Sequence, residues 1–272
     1  MYEDVIELIG KEAGPTSIIL AGVHGNERCG VEALNKIAPS LEINRGKVFI
    51  LYGNPRAIEQ DIRFTEANLN RMFRLDEEIS EEEKGSYEYS RAQFLKKYLD
   101  QSDVLLDIHA SYTPKSPTFI ICEENSRNIT KNLPFEIVVS GFDQVEPGGT
   151  DYYMNTTGKI GICVECGYLK DAQSVENAEK SIHAFLCARG HKDDEKQKID
   201  QTNIQMYKIY LSETNFELAK EFYDFEEIKS GQIIGKDGEK EIFAPKDSII
   251  LFARNIKKAG DEAFLLGEYK KI

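Results

Sequence analysis

Three stretches of the chain place histidine or carboxylate side chains at or near the ends of apolar runs. His24 and Glu27 lie in GVHGNE, directly after the apolar run at 18–21. His109 closes the apolar VLLDIH, and Glu165 is embedded in GICVECGY. Imidazole nitrogen and carboxylate oxygen are good zinc ligands, and a catalytic zinc site uses three protein ligands with one open position. His24, Glu27 and His109 therefore form a candidate ligand set.

Glu165 needs an explanation because an unpaired carboxylate inside an apolar strand is costly and normally becomes neutral. Beside water activated by a metal, Glu165 could take up a proton and deliver it to a leaving nitrogen. Asp107 lies two residues before His109 on the same face of a strand, so it could orient a ligand imidazole. We expect that imidazole to be His24, since a neighbour on its own strand reaches His109 less easily.

Each of these residues also has a purely structural interpretation. A His-x-x-Glu pair occurs by chance in many proteins, and a single histidine at a strand end is often a hydrogen-bonded core residue. His183, in an amphipathic helical pattern, and His191, in a polar stretch, are expected to be structural or solvated. Cys163 and Cys166 are spaced so that their thiols point to opposite faces of a strand, so a zinc site made of four thiolates is not expected.

A fourth stretch, GNPRAIEQDIRFTEANLNRMF at 53–73, gathers cationic side chains after the apolar KVFILY. It contains Arg56, Arg63, Asn70 and Arg71. The planar fork of an arginine matches a carboxylate, and an asparagine can complete the grip. The alternative is a set of surface arginines paired with the many acidic residues of the chain.

These residues must be positioned by the elements that carry them. Apolar, β-branched runs up to about residue 167 alternate with amphipathic helical patterns, which predicts an α/β fold with a mainly parallel or mixed sheet flanked by helices. Sites in such folds gather at the carboxyl ends of strands. From residue 191 a polar stretch precedes strand-like segments separated by Gly, Pro and Asp turns. We therefore predict a catalytic domain at 1–195 and a small all-β domain at 200–272.

Composition limits the classes of partner. The 272 residues carry a net charge of −13, which repels phosphate backbones and anionic membrane surfaces. Neither nucleic acid nor a membrane is an expected partner, whereas a homo-oligomer is left open. The amino-terminal MYEDVIELIG lacks the basic segment of a signal peptide, and five scattered cysteines do not form a disulfide framework. We expect a cytoplasmic protein with reduced thiols.

Together the four stretches resemble the succinylglutamate desuccinylase/aspartoacylase family, relatives of the zinc carboxypeptidases. The resemblance rests on GVHGNE, on NPRA followed by Arg63 and NLNRMF, on DIHAS and on VECG, in the order and approximate spacing of the family. These motifs cover residues 20–167, and the β-rich remainder is similar to the small carboxyl-terminal domain of the family. The resemblance implies a zinc carboxypeptidase-like fold.

The resemblance also implies a role for each matched residue. His24, Glu27 and His109 match the ligands of one zinc ion per chain, and Glu165 matches the general base. Arg63 matches the arginine that polarises the scissile carbonyl and stabilises the oxyanion.

Asn70 and Arg71 match the pair that holds the substrate carboxylate. The implied activity is zinc-dependent hydrolysis of the amide bond in an N-acyl amino acid or a similar small carboxylate-bearing amide. A carboxypeptidase acting on short or cell-wall-derived peptides and a zinc-binding protein without catalysis are the alternatives.

The chain departs from the family pattern at some positions. Asn68 stands where the family often has aspartate. Lys257 or Lys258 lies where aspartoacylase places a tyrosine that contacts substrate. The stretch TDYYMNTTGK offers Tyr152, Tyr153 and Lys159 as further candidates for substrate contact, although packing explains the tyrosines equally well.

Overall fold

The computed structural model describes residue 2 and the ranges 4–194 and 198–270. Residues 195–197, which belong to the polar stretch after residue 191 and include the end of the predicted first domain, lie outside the described residues. The strands of the described chain are β1 (Ile6–Ile9), β2 (Glu12–Ala21), β3 (Arg45–Tyr52), β4 (Val104–Ser111), β5 (Phe119–Cys122), β6 (Ile137–Ser140), β7 (Ile160–Tyr168), β8 (Thr202–Leu211), β9 (Phe216–Leu218), β10 (Glu226–Ile228), β11 (Ile233–Asp237), β12 (Lys240–Phe243), β13 (Ser248–Leu251) and β14 (Glu262–Tyr269). The α-helices are α1 (Arg28–Ile37), α2 (Pro55–Gln60), α3 (Glu81–Lys84), α4 (Tyr87–Leu99), α5 (Arg127–Thr130), α6 (Phe142–Val145), α7 (Thr150–Thr156) and α8 (Gln173–Arg189).

The predicted mixed sheet flanked by helices is confirmed. One sheet runs in the order β1-β3-β2-β4-β7-β5-β6-β8-β14-β13-β10, and a separate antiparallel sheet contains β12, β11 and β9. The central strands β3, β2, β4 and β7 are parallel neighbours. Their carboxyl ends therefore meet at one edge of the sheet, which is where sites form in such folds.

Helices cover both faces of the central strands. On one face α1 and α8 pack side chains such as Leu34 and Phe185 against alternate strand residues. On the other face α4 and α7 contribute Leu95 and Met154. Strand β4 is buried along its whole length, which explains its nearly continuous apolar sequence. Each fully buried apolar side chain contributes roughly 1.5–3 kcal/mol relative to exposure.

The region after residue 200 is built of strands, and its first strand continues the large sheet. Strand β8 pairs parallel with β6, with Ile137 opposite Thr202, and β14 pairs antiparallel with β8. A shared apolar cluster joins Phe119 to Met206 and Leu265. No helix among the described residues combines the length and apolarity needed to cross a membrane.

Candidate metal and active site

The loop that carries His24 and Glu27 connects β2 to α1 and is tightly packed. A Cβ atom on Gly25 would lie 2.1 Å from the carbonyl carbon of Ala57, so only glycine fits there. The amide of Gly25 donates to the carbonyl of Arg63 at 3.2 Å. The glycine of GVHGNE thus lets the loop press against α2 and the arginine segment.

His24, Glu27 and His109 converge at the carboxyl ends of β2 and β4. The Glu27 carboxylate lies between the two rings, with Oε1 2.8 Å from His24 Nδ1 and Oε2 2.8 Å from His109 Nδ1. One ligand atom from each residue lies within 4.8 Å of the others, and each residue is 4% exposed. Two imidazoles and a carboxylate are the ligand types of a catalytic zinc site, so this group could hold a metal ion.

Each imidazole in this group has a hydrogen-bond acceptor at both ends. The Asn68 oxygen that accepts from the Asn70 amide lies 3.2 Å from His24 Nε2, opposite Glu27. Burial, together with the charge of Arg63, lowers the pKa of His24 to about 4, so this ring is neutral at pH 7 and has one N–H for two acceptors. A cation bound by the two Nδ1 atoms and Glu27 removes this shortage of donors, because the single N–H of His24 can then be on Nε2 and donate to Asn68. The residues therefore fit a metal.

Asp107 contacts His109 and not His24, contrary to the expectation from sequence. Its Oδ2 lies 3.2 Å from His109 Nε2 and accepts a hydrogen bond from the Thr150 hydroxyl at 2.5 Å. The contact joins two side chains of β4 that lie two residues apart on the same face of the strand. Burial lowers the pKa of His109, but the charges of Asp107 and Glu27 outweigh burial and raise it well above the ordinary value.

Glu165 lies on β7 directly opposite His109 in the parallel ladder. It is 7% exposed, and its buried Oε2 has no hydrogen-bond partner. Burial, reinforced by the charge of Glu27, raises the pKa of Glu165 to about 8. A buried carboxylate with an unsatisfied oxygen beside a candidate metal set is suited to exchange a proton with a bound molecule.

Arg63 lies at the edge of the same group. Its Nη1 donates to Glu27 Oε1 at 3.0 Å, and its side chain is 31% exposed. Glu27 is the single ion-pair partner of Arg63 among the described residues. The guanidinium therefore reaches the ligand set and keeps donors available on the cavity side.

Asn70 and Arg71 also line the cavity, but Arg71 is already engaged. Its Nε donates to Glu262 Oε1 at 3.1 Å, and Nη2 donates to both Glu146 and Glu262. Burial raises the pKa of Glu146 to about 8, whereas the pairing with Arg71 outweighs burial and lowers that of Glu262. These opposite shifts favour a neutral Glu146 and an ionised Glu262, so the charge of Arg71 is balanced within the wall.

A third arginine, Arg254, lines the cavity from the segment between β13 and β14. Its Nε donates to the backbone carbonyl of Glu262 at 2.9 Å, while Nη2 lies 3.6 Å from that residue's carboxylate. Lys257 and Lys258 do not line the cavity, because the same segment carries them into solvent. The cation from this region is therefore Arg254, which was not predicted from the sequence although it follows an apolar run in IILFARN.

The seven residues to which the family resemblance assigns a role all border one cavity. They are His24, Glu27, Arg63, Asn70, Arg71, His109 and Glu165. Tyr152 lines it too. Tyr153 instead donates its hydroxyl to Asp100, and Lys159 donates to the backbone carbonyl of Leu99. The carboxyl-terminal region completes the wall with Phe252, Arg254, Glu262, Phe264 and Leu265.

Glu88, on α4, holds the segment that carries Arg63 and Asn68. It is fully buried, and its carboxylate accepts from the amides of Thr65 and Ala67 at 2.7 and 3.1 Å and from the Asn54 side chain at 3.0 Å. Burial raises its pKa, but these hydrogen bonds outweigh burial and lower it. Glu88 therefore stays ionised and fixes the loop on which the arginine depends.

The sequence of this chain matches a known catalytic domain. The family model described as the succinylglutamate desuccinylase/aspartoacylase catalytic domain matches residues 13–188. A probable aspartoacylase from Acaryochloris marina is 28% identical over 124 residues, which span 41% of this chain and 40% of that protein. The succinylglutamate desuccinylase of a Shewanella species is 24% identical over 267 residues, or 88% of this chain and 77% of that protein.

Solved structures share the fold. The succinylglutamate desuccinylase of Vibrio cholerae superposes with a TM-score of 0.79 at 20% identity, covering 97% of this chain and 85% of that chain. The ectoine utilization protein EutE of Ruegeria pomeroyi superposes with a TM-score of 0.73 at 21% identity, covering 97% and 87% of the two chains. At these identities the likeness shows a common architecture.

Proposed function

Because the chain belongs to the succinylglutamate desuccinylase/aspartoacylase family, we propose that it hydrolyses the amide bond of an N-acyl amino acid or a similar small carboxylate-bearing amide, with one zinc ion per chain. The observation that carries this proposal is the convergence of His24, Glu27 and His109 beside the buried Glu165 in one cavity. A buried metal-ligand set beside a carboxylate with an unpaired oxygen is the arrangement that metal-assisted hydrolysis requires.

His24 and His109, through Nδ1, and Glu27 would hold the zinc ion. When bound, zinc supplies a Lewis acid that polarises a carbonyl and makes water acidic enough to attack near neutral pH. The chain itself orients the ligands, because Asn68 and Asp107 hold the far ends of the two rings. Such contacts fix the tautomer of a ligand imidazole and increase its basicity.

Glu165 is proposed to accept the proton of the attacking water and to pass it to the departing amine nitrogen. Its Oε2 is buried and available, and its strand places it opposite the ligand His109. A nearby cation favours the ionised carboxylate, which is the form that accepts a proton.

Arg63 is proposed to donate to the carbonyl oxygen as negative charge develops on it. Donors that already point at the site of developing charge stabilise a transition state without reorganisation. The contact between Arg63 and Glu27 keeps the guanidinium beside the ligand set.

Asn70, Arg71 and Arg254 are proposed to bind the carboxylate of the substrate. Arg71 adds little net positive charge, because the ionised Glu262 already pairs with it. Arg254 contributes the additional cation of this wall, with Nη2 3.6 Å from the Glu262 carboxylate and the guanidinium 5.2 Å from the centre of the Tyr112 ring. The carboxyl-terminal region is thereby proposed to influence which substrates fit.

A substrate panel tests the proposal. Zinc-loaded protein is offered N-acetyl, N-succinyl and longer-chain N-acyl amino acids, each with its carboxyl-blocked analogue, together with dipeptides. We expect turnover of free-carboxylate N-acyl amino acids that is lost on metal removal and restored by zinc. Full activity in metal-free protein contradicts the zinc mechanism. Turnover of dipeptides alone identifies a carboxypeptidase, and no turnover at all supports a non-catalytic zinc protein.

Two further measurements test the metal content and the cellular location. Elemental analysis of His24→Ala protein should show loss of the catalytic zinc, whereas Glu165→Ala protein should keep it. A cytoplasmic location is proposed because the five cysteines are free thiols, which are typical of a reducing compartment, and fractionation of cells that produce the protein tests it.

A further inference from the structure

A second group of metal-ligating side chains lies at the end of α8 and includes His183, which was predicted from the sequence to be structural or solvated. His183 and Cys187 are four residues apart on α8, which places them on one face of the helix. Asp194 follows the helix and reaches back to them. His183 Nε2 lies 3.5 Å from Asp194 Oδ2 and 3.7 Å from Cys187 Sγ, and Sγ lies 4.0 Å from Asp194 Oδ2.

These separations are close to the edges of a zinc tetrahedron. Zinc bonds of about 2.3 Å to sulfur and about 2.0–2.2 Å to nitrogen and oxygen, at tetrahedral angles, imply edges of roughly 3.6 Å for N–S, 3.4 Å for N–O and 3.6 Å for S–O. The 3.5 Å contact between His183 and Asp194 is longer than a good hydrogen bond between an imidazole and a carboxylate. The spacing thus suits a shared ion better than direct hydrogen bonding.

The segment that delivers Asp194 is fixed at several points. Gly190 ends α8 in the left-handed conformation, with φ 79°, and turns the chain back. The buried His191 places Nδ1 2.8 Å from the Arg45 carbonyl and Nε2 2.8 Å from the Ser17 hydroxyl. Asp193 accepts hydrogen bonds from the side chains of Asn44 and Arg45. These anchors hold the carboxylate of the next residue over the helix face.

We propose that His183, Cys187 and Asp194 bind one zinc ion or a similar thiophilic divalent cation, separately from the catalytic set. Cys187 is 2% exposed, whereas His183 and Asp194 are more than half exposed. The thiol therefore forms the floor of the site, and the fourth position faces solvent, where water can fill it. A bound ion ties the chain after α8 to the last turn of that helix and stabilises the folded state by mass action.

Cobalt substitution distinguishes this site from the catalytic one, because the catalytic set contains no thiolate. Metal-free full-length protein is titrated with Co²⁺ and followed by near-ultraviolet absorption and by elemental analysis. We expect two cobalt ions per chain and a thiolate-to-cobalt charge-transfer band. The Cys187→Ser variant should lose the charge-transfer band and bind one cobalt ion fewer per chain. The Cys122→Ser variant, which changes another buried thiol, should keep the band and both cobalt ions.

His183→Ala is a second variant that should fold normally, because this side chain is 55% exposed. The His183→Ala variant should bind the cobalt ion responsible for the charge-transfer band more weakly. The His24→Ala variant should bind one cobalt ion fewer per chain and keep the band. If wild-type protein binds one cobalt ion per chain and shows no charge-transfer band, the proposal is overturned. A band that persists in the Cys187→Ser variant also overturns it. If wild-type protein binds one cobalt ion per chain and shows the band, the result supports this site and contradicts the catalytic zinc assignment.

Discussion

His109 and Glu165 stand directly opposite each other on the parallel strands β4 and β7. Residues opposite in a ladder point to the same face of a sheet, so a candidate metal ligand and a candidate base are fixed side by side by backbone pairing. Their relative position does not depend on a mobile loop.

Replacing Glu165 by Gln is expected to abolish turnover while leaving zinc bound. The amide keeps the shape of the carboxylate but cannot accept the proton, and loss of a general base typically lowers the rate by about 10² to 10⁴. Steady-state kinetics on protein of measured zinc content checks this. A Gln variant within a few-fold of wild type would contradict the assignment of the base.

Replacing Asp107 by Asn is expected to lower zinc affinity by roughly 10- to 100-fold, because the carboxylate that holds His109 Nε2 is lost. Competition with a chromophoric chelator measures the affinity. Unchanged affinity would show that the contact does not orient the ligand ring.

Replacing Arg254 by Gln is expected to lower kcat/KM for free-carboxylate substrates by a factor that corresponds to about 1.5–3 kcal/mol, since a hydrogen bond to a charged group is lost. Carboxyl-blocked analogues should change little. Lys257→Gln is the matched control, because this exposed lysine does not line the cavity. An equal loss with blocked and free substrates would argue against carboxylate recognition by Arg254.

Replacing Glu88 by Gln is expected to reduce both stability and catalytic efficiency while leaving Zn²⁺ stoichiometry intact. The new amide nitrogen faces backbone donors that the carboxylate accepted, which costs about 1–3 kcal/mol. Urea unfolding and kinetics with Glu82→Gln as an exposed control measure the two effects. A variant that loses stability but keeps wild-type kcat would show that Glu88 does not position Arg63.

The small sheet should show a pH-dependent contribution from Asp237. Burial raises the pKa of this carboxyl, but hydrogen bonds from the Glu213 and Thr214 amides and the Thr214 hydroxyl outweigh it and lower the pKa to about 2. The folded state therefore favours the ionised form, and its stabilisation is present above pH 4 and is lost as pH falls toward 2.

Asp237→Asn is accordingly expected to destabilise the protein by about 1.5–3 kcal/mol at pH 7. The difference from wild type should shrink as pH falls from 4 toward 2. Urea midpoints at a series of pH values measure it. A difference in stability that is independent of pH would mean that the charge of Asp237 does not contribute through its hydrogen bonds to Glu213 and Thr214.

The metal-ligand candidates could be predicted because each lies beside a long apolar run whose end marks a strand end. The partner of Asp107 could not be predicted, since sequence spacing does not reveal which of the two neighbouring imidazoles the carboxylate contacts. The ion pairs of Arg71 depend on Glu262, 191 residues away, and therefore on the tertiary fold. Glu88 reads as one more acid in an amphipathic helix, and its burial arises only when the 63–68 segment packs over it.

The pairing of β6 with β8 also limits how relatives of this protein can be recombined. A chimera that takes its carboxyl-terminal region from another family member must preserve the register of Ile137 with Thr202, or β6 becomes an open edge that invites intermolecular strand addition. The wall that contains Arg254 and Glu262 is therefore not an interchangeable module. A change of substrate preference by transplantation requires exchanging β8, β13 and β14 together with the strand that receives them.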